Sequence, residues 1–330
     1  DYQTAIAAEA SIADVAALQA LINSVDTSVA AFTDVQTAAS NSDASGVSET
    51  TLSSIISLTF DAANLTAYQA AIAAESSIAD VVALQTLINS IDASLSAFTA
   101  VQMAATTSDA SGISESTLSN IIGLTFDSAN LTDYQGAIAA EASIADVAAL
   151  QALIDRVDAS VLAFDSVQLA TLTGDASSIT AESLADIIGL TFSIANVTDY
   201  QDAIAVQSSI ADVVALQALI DSVDASLAAF AAVQAAATSS DGSGISSATL
   251  SDIIGLTFDS ANLADYQGAI AAETSIADVN ALQVLIDSVD ASVLAFVSVQ
   301  QAAINSNASS ITASVFGQIR GLTFSSGNML

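Results

Sequence analysis

The chain has no cysteine, proline, histidine, tryptophan or lysine, and its only cationic side chains are Arg156 and Arg320. Most catalytic chemistry goes with them. Without cysteine there is no disulfide framework, thiolate nucleophile or thiolate metal site, and cysteine usage does not mark the redox compartment. Two arginines make no basic patch, so phosphate neutralisation is out of reach, and neither nucleic acid nor an anionic lipid surface is an expected partner. Against 2 cations stand 36 Asp and Glu, a formal net charge of −34. The acid content is ordinary and the base content nearly nil, unlike the charge-dense, weakly apolar pattern of a disordered acidic tail.

Hydrophobic residues make up 53% of the chain and the mean hydropathy is +0.63, which is ample apolar material for an ordered fold. The apolar stretches are short and punctuated by Ser, Thr, Gln and Asp. No run reaches the roughly 18 residues of a transmembrane helix, so no membrane insertion is expected. There is no signal peptide, and Asp1-Tyr2 opens in the middle of a helical pattern, as expected of a mature or excised portion.

Internal repetition organises everything else. The phrase Tyr2-Gln3 returns at Tyr68-Gln69, Tyr134-Gln135, Tyr200-Gln201 and Tyr266-Gln267, a constant step of 66 residues that fills the chain. This gives repeats 1–67, 68–133, 134–199, 200–265 and 266–330. In the second repeat, Asp61 and Asn64 are helix-starting residues, and Leu65, Tyr68 and Ile72 share one face of a short helix ending near Glu75. Ser77-Ile78-Ala79-Asp80 has the form of a capping box opening a long helix. Its apolar residues Ile78, Val81, Leu84, Ile88, Ile91, Leu95, Phe98 and Val101 recur every three or four positions. Asp92 is a possible break in that helix. A turn cluster follows, then a short helix capped by Ser114 that carries Leu118, Ile121 and Ile122, with Gly123 placed for a left-handed residue.

The expected fold is therefore an all-α tandem repeat array, with one long and two short helices per repeat. Val82, Ala83, Leu87, Ala97 and Ala100 make the long helix apolar beyond its main stripe, which calls for burial on several faces and favours an α-solenoid whose repeats pack on one another. The alternative is five separate three-helix bundles on a string. The last repeat departs from the rest: Arg320 stands where Ile56, Ile122, Ile188 and Ile254 do, read as buried positions, and Phe316 replaces Leu52, Leu118, Leu184 and Leu250. That suggests a terminal cap. Asn328-Met329-Leu330 and Asp1-Tyr2 read as complementary parts of one leading helix. Tyr2, Arg320, Met329 and Leu330 are thus candidate residues for a head-to-tail contact with a second copy, unless the sequence was simply cut at a repeat boundary.

Candidate chemistry is sparse. Asp43 with Glu49, and Asp109 with Glu115, put oxygen ligands around a glycine-containing turn, as Ca²⁺ requires; the competing reading is a local Asx turn. Asp14, Asp80, Asp146, Asp212 and Asp278 read as helix caps, and Asp26, Asp92, Asp158, Asp224 and Asp290 as a solvated stripe, rather than as paired general acids and bases. Tyr68 and Phe98 read as core rather than as a ligand groove. Asn64, Asn130, Asn196 and Asn307 lie in sequons.

The phrase Asn-Leu-Thr-x-Tyr-Gln-x-Ala-Ile-Ala, followed by Ser-Ile-Ala-Asp-Val-x-Ala-Leu-Gln-x-Leu-Ile, resembles the helical tandem repeats of very large bacterial cell-surface proteins of stalk, adhesin or matrix-fibre type. The resemblance implies an extracellular or cell-surface structural protein with no catalytic residues and no cofactor, acting as a stiff spacer or a self-assembling filament. The alternative is an adhesive module that recognises a protein or glycan through its repeated faces. An ice-binding surface lacks the regular 11-residue threonine spacing. Divalent cations enter only as screens of the acidic surface, and assembly is expected to rise with ionic strength.

Overall fold

A computed structural model describes residues 2–328, and among these the chain is all-helical, with no strand. Each repeat has a leading helix (Tyr2–Ala8, Leu65–Ala74, Leu131–Ala140, Val197–Ala205, Leu263–Ala272), a long helix (Val15–Ser40, Val81–Thr107, Val147–Thr173, Val213–Ser239, Val279–Ile304) and a trailing helix (Glu49–Ser53, Glu115–Asn120, Ala181–Asp186, Ser247–Asp252, Ala313–Gln318). This is the all-α repeat array that the spacing predicts. The chain forms two compact units, one ending at Ala159 and the other beginning at Ser160.

Local chemistry sets the helix ends. Asp80 has an extended backbone and its carboxylate accepts the Ala83 N–H at 2.8 Å, so the long helix begins at Val81. Asp14, Asp146, Asp212 and Asp278 accept the equivalent N–H groups in the other repeats. Each cap satisfies one of the donors that a helix N-terminus leaves unpaired, a gain of about 1 kcal/mol. The capping role expected of Ser77 thus falls to Asp80, and Ile78 lies ahead of the helix, buried. Asp92 marks no break, since Val81–Thr107 is continuous. At its far end Ser108 is left-handed, with φ 54°, and the next N–H closes onto Ala104 O at 3.0 Å.

The core is out of phase with the sequence repeat. In the first unit, one apolar core takes Ala31, Val35, Ala38 and Ala39 from the second half of a long helix and Leu52 from the trailing helix. It then takes Tyr68 and Ile72 from the next leading helix, and Leu84 and Ile88 from the first half of the next long helix. A bundle therefore runs from the middle of one long helix to the middle of the next. Within the second unit, helix Val213–Ser239 gives Leu216, Ile220 and Val223 to one core and Ala229, Val233, Ala236 and Ala237 to the following one. Separate bundles on a string would divide at the repeat boundary; these cores cross it. Full burial of each Leu or Ile contributes about 1.5–3 kcal/mol, and alanines in the second half of each long helix let the short helices approach closely.

The four long helices other than Val147–Thr173 are long and apolar enough to cross a membrane by length and composition, with mean hydropathy 1.3 to 1.7 over their richest 18 residues. The run-length expectation missed this because Ala, Ser and Thr interrupt the large apolar residues without adding charge.

Candidate assembly site

A polar network recurs in each bundle beside the core. In the second repeat the Tyr68 hydroxyl donates to the Asp92 carboxylate and accepts the Asp61 N–H at 3.1 Å, while the Asn64 amide donates to the same Asp92 oxygen at 2.7 Å. Asp61 in turn caps the short turn Ala62–Asn64 through the Ala63 N–H. Tyr134 with Asp158, Tyr200 with Asp224 at 2.5 Å, and Tyr266 with Asp290 repeat the arrangement. The series Asp92, Asp158, Asp224 and Asp290 is therefore no solvated stripe: each is a part-buried acceptor that pins a leading helix to a long one. Burial, with the aspartate hydrogen bond next in size, raises the pKa of each of these tyrosines, and Tyr134 is pushed up to about 12. A buried phenol beside a carboxylate holds its proton because a second negative charge there is disfavoured. Sequon residues Asn64, Asn130 and Asn196 spend their amides on this network. Asn307 is exposed and accepts the Ser309 N–H at 3.0 Å.

Glutamines form the second recurring element, one that the sequence reading missed. Gln36 donates to Ile78 O at 2.9 Å and Gln69 to Val47 O at 2.7 Å, each crossing from one repeat to the next. Gln85 both accepts from Thr59 N–H and donates to Thr59 O, at 2.7 and 2.8 Å. A primary amide serves as donor and acceptor at once, so it satisfies irregular backbone wedged between helices. Its signal was legible: Gln36, Gln102, Gln168 and Gln234 recur in a background of Ala, Ser and Val.

The calcium candidates lie in these junctions with other duties. The Asp43 and Asp109 carboxylates each accept the N–H two residues on, from Ser45 and Ser111, at 3.0 Å. These hydrogen bonds hold both carboxyls below the usual carboxylate range. Glu49 and Glu115 occupy the first turn of the trailing helices behind Ser48 and Ser114, whose hydroxyls form the caps. Among the described residues no three Asp, Glu, His or Cys side chains gather as metal ligands would. A shallow cleft of about 290 Å³ recurs before the long helix, lined by Glu75, Ser77, Ile78 and Leu87; its counterpart in the third repeat holds an exposed Arg156 to Glu141 ion pair at 3.1 Å.

The candidate assembly residues divide. Met329 and Leu330 lie outside the described residues. Tyr2 donates to Asp26, as its counterparts do to theirs, yet it is 46% exposed where Tyr68 is 1% exposed. Arg320 replaces no buried residue: Ile122 and Ile254 are each 54% exposed, and Ile56 and Ile188 are exposed as well. The trailing helix ends at Asn120 and the chain turns at Gly123, so helical spacing stops applying before Ile122, and Ile121 alone points inward. Arg320 donates from its backbone to Ser292 and from its guanidinium to Ser288. Phe316 does occupy a core position, but only half-buried.

No protein-family model, curated protein or solved structure matches this chain.

Proposed function

We propose that the chain is a structural protein that acts outside the cell, on or beyond a bacterial surface, as a spacer or fibre-forming array. The observation that supports this most is the sharing of one uninterrupted helix by two successive cores. Such a design lets repeats be added without linkers and passes load from core to core through helix backbone. Many recurring polar side chains are spent within the fold: Asp80 and its counterparts cap helices, Asp92 and its counterparts hold tyrosines, and Gln36, Gln69 and Gln85 bind backbone. The same side chains support an aqueous setting over a bilayer, since Gln85, Asp92 and Gln102 project from a helix of membrane-crossing length and hydropathy to satisfy polar groups of other segments. An extracellular site and a bacterial origin rest on the resemblance and on the acidic surface, whose self-repulsion a saline exterior screens.

The test is to prepare arrays of three, five and seven repeats and measure maximum dimension by small-angle scattering. A constant increment per added repeat is the expected result. Maximum dimension that does not grow with repeat number sinks the proposal, and saturable binding of a glycan or protein by a single repeat would favour the adhesive reading.

A further inference from the structure

The cleft that precedes the long helix has a rim of recurring design. The leading helix Leu65–Ala74 ends at Glu75, which takes the C-cap position with an extended backbone, and Glu141 and Glu273 end their own leading helices in the same way. Each of the three glutamates lines a cleft of about 250 to 290 Å³. The rest of the lining includes a buried isoleucine and a leucine of the long helix, Ile78 and Leu87 in the second repeat. A carboxylate at a helix C-terminus adds to the negative end of the helix dipole, so this rim favours a cation.

The chain's own two arginines give an independent sign. Arg156 lines the cleft of the third repeat, and its guanidinium donates to Glu141 at 3.1 Å, the one ion pair among the described residues. Arg320 donates from its guanidinium to Ser288, which lines the cleft of the fifth repeat and is the counterpart of Arg156. Of all the surface that 36 acidic residues make attractive to cations, both guanidinium groups come to this one feature. The position of Arg320 is exposed in interior repeats as well, at Ile122 and Ile254, so the same approach to the cleft is open there. In the second repeat Ser90 stands in place of Arg156, and neither Glu75 nor Glu273 pairs with a cation among the described residues. The fourth repeat lacks the charge: Gln207 replaces the glutamate and turns its amide back to Ala203 O at 3.3 Å.

We infer that the clefts at Glu75 and Glu273 bind the guanidinium of an arginine carried by a different, basic polypeptide. The Arg156 to Glu141 pair is the internal pattern for that contact, a charge-assisted N–H to carboxylate hydrogen bond at the rim. A guanidinium suits the cleft better than an ammonium does. Its flat, weakly hydrated face can lie on the apolar isoleucine and leucine while its N–H groups reach the carboxylate. Both arginines of this chain are engaged within their own repeats, so the arginine comes from another protein, and a net charge of −34 draws a basic one in. The contact is open to water, and each cleft alone binds weakly. This goes beyond the spacer reading by giving the array a ligand, and its failure would leave the length increment per repeat untouched.

Carboxyl-carbon NMR of the 330-residue chain, isotope-labelled on glutamate and titrated with acetyl-arginine amide, tests it. Glu49, Glu115 and Glu182 lie in the first turns of trailing helices and report non-specific screening. The Glu75 and Glu273 signals are expected to shift saturably, while these three move only as they do with sodium chloride. Glu141, already paired with Arg156, is expected to bind about two- to fivefold more weakly than Glu75, the range for an exposed ion pair. Arg156→Ser raises the affinity at Glu141 to that at Glu75, and Ser90→Arg lowers it at Glu75 by the same factor. Both substitutions are at exposed positions, and circular dichroism verifies wild-type helicity. The inference is overturned if Glu75 and Glu273 move in step with Glu49, Glu115 and Glu182, or if Arg156→Ser gains nothing at Glu141. Acetyl-lysine amide binding as tightly as the arginine compound overturns the choice of a guanidinium.

Discussion

The closed bundle from Ala31 to Asp92 and the open half-bundle from Tyr2 to Asp26 share a leading helix, an aspartate-capped long helix and a tyrosine bonded to a mid-helix aspartate. They differ in what lies opposite. In the closed bundle the preceding repeat covers Tyr68, Ile72 and Leu84; in the open half nothing covers Tyr2, Ile6 and Leu18 to the same depth. The caps and the Tyr to Asp hydrogen bond are alike in the two, whereas the depth of burial differs. Helices of 5 to 10 residues such as the leading and trailing ones depend on packing, so stability is a property of adjacent pairs of repeats.

The comparison can be broken most directly at the core. Leu84→Ala is expected to lower the local opening free energy of its bundle by about 2–5 kcal/mol, the range for a buried leucine, while Leu18→Ala costs under about 1 kcal/mol. Hydrogen exchange read helix by helix separates the two; equal losses would mean that Leu18 is covered in solution. Next in size, Asp92→Ala strands the Tyr68 hydroxyl and the Asn64 amide and is expected to cost about 1–3 kcal/mol. Asp26→Ala, whose tyrosine is half exposed to water, costs less, and the same exchange measurement ranks them.

Alkaline pH probes the same network. Because the folded-state pKa of Tyr134 is raised from 10.0 to about 12, its contribution is intact below pH 10 and is lost as pH rises toward 12. Tyrosinate absorbance followed with helicity should show ionisation of the buried tyrosines coinciding with unfolding of the closed bundles, and ionisation of Tyr2 without it. The smallest expected effect compares two closed bundles. Ser57 is left-handed, with φ 68°, where Gly123, Gly189 and Gly255 have φ of 81° to 84°. Ser57→Gly relieves a side-chain clash and should stabilise the first bundle by about 1 kcal/mol, measured by thermal melting. Gly123→Ser should do the reverse.

Much of this was legible in the sequence because it is local or periodic. The repeat length, the helix types, the caps at Asp80 and Ser114 and the left-handed turn at Gly123 follow from spacing and backbone preference. The phase of the cores was not, since the apolar pattern of a helix states that a face is buried and not which repeat buries it. The partners of Asp92 lie 24 and 28 residues upstream at Tyr68 and Asn64, beyond the reach of any helical spacing. Ile122 was misplaced for the opposite reason, by extending a helical period past the point where the backbone leaves the helix. Of the candidate assembly residues, Tyr2 is 46% exposed where its counterparts are buried, and Arg320 replaces no buried contact.

The offset between core and repeat also bears on how such a chain grows by descent. Because every bundle is assembled from two neighbours, an in-frame duplication or deletion of 66 residues rejoins matching halves wherever its breakpoints fall, in a helix, a loop or a turn. A change of copy number by recombination at any point along the repeat therefore preserves the period on which the cores are built.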